Sequence, residues 1–139
     1  MAGYSGTPLP KKLGIKDGHF VFFSGAPKDF GATLGALPKG VTVSSRLSRG
    51  PVHVIVLFAK SIAALKKSFA PAARMLDKAG GLWVAWPKKA SGVATDLDEN
   101  VVRAVGLGAG LVDNKVCAID ATWSGLRFVY RVEDRPARP

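Results

Sequence analysis

Apolar positions along this chain fall into short blocks separated by glycine, proline and polar clusters, and the spacing inside the blocks alternates between strand-like and helix-like. "HFVFFS" carries four apolar residues in a row, Phe20 to Phe23, partly aromatic and β-branched. That run predicts a strand covered on both faces and ending near Ser24. "KDFGATLGAL" predicts a short helix weakened by Gly31 and Gly35. "GVTVSS" is a short second strand, and "PVHVIVLFA" a longer third one with Pro51 confined to its start. In the third strand Val54, Val56 and Phe58 alternate with Ile55 and Leu57, which predicts burial on both faces and a central place in the sheet.

After the third strand, Ser61 is positioned to cap a helix in which Ile62, Leu65, Phe69, Ala72 or Ala73, and Leu76 recur at steps of three and four. Pro71 would kink or restart that helix, and Gly80-Gly81 is the expected stop before a fourth strand, "LWVAWP". "TDLDENVVRAVGLGAG" predicts a further helix, with Thr95 and Asp98 or Asp96 and Glu99 in capping-box spacing. "GLVDNKVCAID" and "GLRFVYRV" are two strands joined by "ATWSG", short enough for an antiparallel hairpin. The order predicts an α/β protein: a Rossmann-like three-layer sandwich, its sheet mainly parallel with a C-terminal antiparallel hairpin. Residues 1–132 are expected to form one domain, with 1–16 packing on it and 133–139 as a flexible tail.

Composition narrows the function classes. The chain has 139 residues, enough for one sizeable core, and its 47% hydrophobic and 22% charged content is that of a folded domain rather than a disordered one. No apolar run approaches the roughly 20 residues of a membrane span, and none near the start has signal-peptide length, so a cytoplasmic protein without membrane contact is expected. Cys117 is the only cysteine, which excludes an internal disulfide, and "KVCAID" reads as a buried strand. With His19 and His53 isolated at strand starts, no metal site is expected.

Charge adds a partner class. Lys and Arg number 20 against 10 Asp and Glu, and no acidic residue occurs from Gly31 to Leu76, where Lys39, Arg46, Arg49, Lys60, Lys66, Lys67 and Arg74 lie. Such a field would draw an anionic ligand or nucleic acid with strong salt dependence, or would only keep the surface solvated.

Open α/β sheets take ligands beyond the carboxyl ends of their strands, where strand order reverses. There "SGAPKDF", with Ser24, Gly25 and Lys28, would meet the end of the third strand near Lys60 and the stretch "WPKKASGVATD", with Lys88, Lys89, Ser91, Thr95 and Asp96. Lys88 and Lys89 beside a helix start would make an anion site, whereas a capping Asp96 would already occupy that start. Trp83, Trp86 and Trp123 could stack a ring, but alternation sends Trp83 and Trp86 to opposite faces. Asp96 and Asp120 are candidate acid-base groups, yet no paired carboxylates, nucleophile-His pair or metal cluster stands out, which favours a binding or regulatory module over an enzyme.

The element order resembles the class I S-adenosylmethionine-dependent methyltransferase fold, whose sheet also ends in an antiparallel hairpin, and "MLDKAGGLWVAW" resembles that family's segment leading into its fifth strand. The resemblance implies a cofactor loop with an acid in the first strand followed by alternate glycines. Gly25 matches the first glycine, while Phe23, Pro27 and Asp29 stand at the other positions. It also implies an acid at the end of the second strand for the ribose hydroxyls, where this chain has Ser44, Ser45 and Arg46. No cofactor is therefore expected, with S-adenosylmethionine as the alternative; no G-x-G-x-x-G supports a dinucleotide. "AGYSGTPLPKKLGI", "WPKKASGVATDL" and "VCAIDATWSGLRFVYR" further resemble a small, uncharacterised bacterial family, which implies a shared fold and assigns no catalytic residue. The expected function is a binding or regulatory module of methyltransferase-like fold, the alternatives being a divergent methyltransferase and a non-specific nucleic-acid-binding protein.

Overall fold

β3 (Val52–Phe58) is apolar on both faces and lies near the middle of a six-stranded sheet ordered β2-β1-β3-β4-β6-β5. The structure is a computed structural model describing residues 7–44 and 51–134. Before β3 come α1 (Leu9–Leu13), β1 (Phe20–Ser24), α2 (Phe30–Leu34) and β2 (Thr42–Ser44). After it come α3 (Ile62–Met75), β4 (Leu76–Pro87), a 3-10 turn (Lys89–Ser91), α4 (Glu99–Gly108), β5 (Leu111–Ala118), β6 (Trp123–Tyr130) and a last 3-10 turn (Val132–Asp134). The first four strands pair in parallel, and β6 runs antiparallel to both β4 and β5. The chain is therefore the expected α/β sandwich with a mainly parallel sheet and a C-terminal hairpin.

Two cores lie against the two faces of the sheet. Ile55 and Leu57 of β3 pack with Leu65 and Phe69 of α3 and Val102 of α4, while Val54 and Val56 pack with Leu13 of α1 and Phe30 of α2. All four β3 side chains are at most 2% exposed, so the strand is central as its unbroken apolar pattern requires. Trp83 and Trp86 point to opposite faces, one in each core. The Trp83 indole N–H donates to the Leu13 carbonyl at 3.0 Å, which satisfies a buried polar atom and ties α1 to the sheet.

Several boundaries differ from expectation. α2 keeps only five residues, starting at Phe30 instead of Lys28. α3 runs through Pro71 as one element and stops at Met75, five residues before Gly80. Gly80 and Gly81 are not a helix stop but part of β4. Their lack of a side chain serves close approach: a Cβ on Gly80 would come within 2.5 Å of the His53 carbonyl, and one on Gly81 would strike the Arg127 guanidinium. β6 starts at Trp123, inside the expected turn, because the Asp120 carboxylate accepts the N–H groups of Thr122 and Trp123, both at 2.8 Å, and closes the turn earlier. The two histidines are not isolated: parallel pairing of β1 with β3 stacks His19 on His53, ring centroids 4.4 Å apart. No described helix is long and apolar enough to cross a membrane. Ser45, Arg46, Arg49, the first six residues and 135–139 of the expected tail lie outside the described residues.

Candidate functional site

β1 leads to β2 on one side of it, and β3 pairs on the other, so the strand order reverses between β1 and β3. Beyond the carboxyl ends of those two strands lies a cleft of about 370 Å3, lined by Gly25 and Pro27 of the loop after β1, Phe58 at the end of β3, Ala59, Lys60 and Ser61 of the link that follows, Ala64 of α3, and Trp123 at the start of β6. That is where sheet topology places a ligand, and its size falls at the small end of the usual range of about 300 to 1,000 Å3. Larger hollows, of about 630 and 520 Å3, lie between α1 and the segment after α2 and along β5 beside α1. Neither touches the switch point.

An aromatic chain leads to the cleft wall. Phe23 meets Phe30 edge-on at 5.2 Å, Phe30 meets Phe58 at 4.9 Å, and Phe58 meets Trp123 at 5.1 Å. Trp123, 7% exposed, is thus the tryptophan that borders the site, while Trp83 and Trp86 belong to the cores. Gly25 takes the left-handed conformation, φ 70°, and a Cβ there would come within 2.8 Å of the Phe58 carbonyl. This glycine is required by the closeness of the β1 loop to β3.

The structure divides the candidate residues. Gly25 lines the cleft, Ser24 pairs with Leu57 at the end of β1, and Lys28 is exposed on the loop. Thr95 and Asp96 do not cap α4. Asp98 does, its carboxylate accepting the Val101 N–H at 2.8 Å. The Thr95 hydroxyl donates to the Lys60 carbonyl at 2.6 Å and accepts from the Leu97 N–H at 3.1 Å, while Asp96 accepts the Ile62 N–H at 2.8 Å. Together with Ser61, which accepts from Ala64 at 3.1 Å, Asp96 therefore caps α3. Ser91 is engaged in its own turn, donating to the Lys88 carbonyl and accepting from Val93. The Lys88 N–H donates to the Thr122 carbonyl at 2.8 Å, Lys89 is exposed, and neither side chain lines the cleft.

Lys60 is the one ionisable side chain among the lining residues. Gly25 and Lys60 were legible in the sequence through the strand ends and Trp123 as one of three rings able to stack, whereas Phe58 and Ala64 were legible only as strand or helix positions. Half-buried Cys117 lies beside α1, its thiol pushed up by burial while Lys12 and Lys115 pull the other way. Among the described residues no three His, Cys, Asp or Glu side chains come together.

No protein-family model matches the chain, and no curated protein does. Solved structures do match. Magnesium protoporphyrin IX methyltransferase from Synechocystis PCC 6803, with bound SAH, covers 83% of this chain and 75% of its own at 12% identity and TM-score 0.53. The fold is that of the S-adenosylmethionine-dependent methyltransferases. A SAM-dependent methyltransferase from Aquifex aeolicus covers 85% of each chain at 16% identity and TM-score 0.56. A pericyclic-reaction enzyme also matches, over 90% of this chain and 47% of its own, at 11% identity and TM-score 0.51. One architecture thus carries different reactions, and at these identities only the architecture is shared.

Proposed function

We propose that this chain is a divergent member of the methyltransferase fold that binds an adenosyl ligand of the S-adenosylmethionine type in the β1/β3 cleft. The observation that carries it is the position of the cleft at the switch point of a sheet whose structural neighbours include methyltransferases, one of them with bound SAH. The wall fits such a ligand: Phe58 and Trp123 offer aromatic surface to a purine, and the Gly25 turn brings backbone to the rim. The polar side fits less fully, because no carboxylate lines the cleft to take ribose hydroxyls, and β2 ends in Ser44. A bound S-adenosylmethionine would supply an electrophilic methyl group. The residues lining the cleft would hold and orient the ligand, and Lys60 and Ser61 would contact its polar end. A cytoplasmic setting belongs to the same proposal.

Calorimetry with S-adenosylmethionine and S-adenosylhomocysteine tests it. Saturable micromolar binding that is lost in Ala64→Trp, which fills the cleft from α3, supports the proposal, and no binding of either compound at millimolar concentration defeats it.

A second reading, a binding or regulatory module without a methyl-donor site, is favoured by Gly25. Its missing side chain already serves packing on Phe58, and Phe23, Pro27 and Asp29 fill the remaining loop positions. Thermal stabilisation by a nucleotide, with none from either adenosyl compound, would select this module. The structural neighbours weigh toward the first reading.

A further inference from the structure

α3 buries Leu65, Phe69, Ala72 and Ala73 and turns Ala63, Ala64, Lys66, Lys67, Ala70 and Arg74 outward. Every charged side chain on that face is therefore cationic, and every uncharged one is alanine. Lys67 and Arg74 are seven residues apart, two turns, or about 10 Å along the axis, and Lys66 adds a cation to the flank.

The carboxylates of neighbouring segments do not neutralise this strip. Asp96 and Asp98 accept backbone N–H groups at helix starts, and Asp77 accepts the Ala79 N–H. Among the described residues the ion pairs are those of Arg103 with Glu99 at 2.7 Å and Asp113 at 3.0 Å. Among the described residues Lys66, Lys67 and Arg74 thus have no carboxylate within ion-pair distance, and α3 arranges the three on a rigid rod.

We infer that the outward face of α3 is a docking strip for the phosphate backbone of duplex nucleic acid, independent of base sequence. Alanines between the cations let a backbone approach closely. A single strand would need exposed aromatic rings for its bases, and this face has none, while all three tryptophans are buried. An anionic membrane would need large apolar anchors beside the cations, and the exposed large apolar residues Phe20, Val43, Val93, Leu107, Val116 and Val132 all lie on other elements. Of the outward residues only Ala64, in the first turn, lines the cleft; Lys66, Lys67 and Arg74 do not, so the strip does not depend on the adenosyl ligand.

Fluorescence anisotropy of a short labelled duplex, titrated at several salt concentrations, tests the inference. The logarithm of the association constant should fall linearly with the logarithm of salt, with a slope that includes about −3 from these three cations. Lys66→Gln, Lys67→Gln and Arg74→Gln together should weaken binding at low salt by at least about tenfold and flatten the slope by about 3, with an unchanged melting temperature. Lys11→Gln, Lys16→Gln and Lys39→Gln together remove the same charge from the opposite layer and should keep most of the affinity. Equal losses in the two triple variants would reduce the effect to net charge and overturn the inference. Absence of duplex binding at low salt, or tighter binding to single strands or phosphatidylserine vesicles, would overturn it as well.

Discussion

The Asp96 carboxylate accepts the backbone N–H of Ile62 at 2.8 Å, so the first turn of α3 is capped by a residue 34 positions further along the chain. Thr95 adds a bond to the Lys60 carbonyl, and the loop before α4 is thereby strapped over the β3–α3 junction beside the cleft. Asp96→Ala should cost about 1 kcal/mol, as should Ser61→Ala. Because both serve one helix start, the double variant should depart from the sum of the two. Urea unfolding midpoints check this, and an unchanged midpoint for Asp96→Ala would show that water replaces the cap at no cost.

Gly25→Ala places a side chain in a left-handed turn and against the Phe58 carbonyl. The conformation alone should cost about 1 to 2 kcal/mol. The contact adds to it and pushes the β1 loop away from β3, so adenosyl binding should weaken along with the melting temperature. A variant that melts like wild type would mean that the loop relaxes freely.

Ile55 is fully buried in the α3 face of the sheet. Ile55→Asp should destabilise by several kcal/mol, on the order of 3 or more, because no partner there can compensate a carboxylate. Loss of cooperative unfolding, or of soluble protein, is the expected readout; a folded variant with native stability would contradict the central placement of β3.

His19 and His53 lie 11° from parallel, and each Nδ1 accepts a backbone N–H, from Lys16 at 3.1 Å and Phe20 at 2.9 Å. Both bonds need an unprotonated Nδ1. Burial pushes the His19 pKa down, His53 and Lys16 push it further, and Asp77 opposes them. A folded-state value below the unfolded value of about 6.5 means that stability is complete above that pH. It should fall as pH drops below about 6.5, where the unfolded chain takes up the proton first, and level off below the folded-state value. Denaturant midpoints followed from neutral to mildly acidic pH should show this loss in wild type and a smaller one in His19→Gln. Identical pH profiles would remove the pair as its source.

Local pattern was enough for much of the architecture. The unbroken apolar run of β3 announced a strand buried on two sides, Ser61 announced the start of α3, and the short link before β6 announced the hairpin, because burial, capping and turn closure are set by residues close together in the chain. The same logic located the cleft beyond β1 and β3, since the position of a switch point follows from the order of elements.

What remained depended on which distant segments meet. Gly80 and Gly81 looked like a helix stop, yet His53 on β3 and Arg127 on β6 make them strand residues under close neighbours. The hydrogen-bonding power of Thr95 and Asp96 was legible, but the helix it serves was not, because only the folded sheet carries that loop over the start of α3. His19 and His53 became a stacked pair through the pairing of β1 with β3, and Trp123 became a cleft wall through its contact with Phe58. The sequence by itself determined the periodicities, caps and turns, which are short-range preferences of the backbone. Tertiary structure alone decided the partners, because a side chain's chemistry is completed by whatever group packing brings within reach.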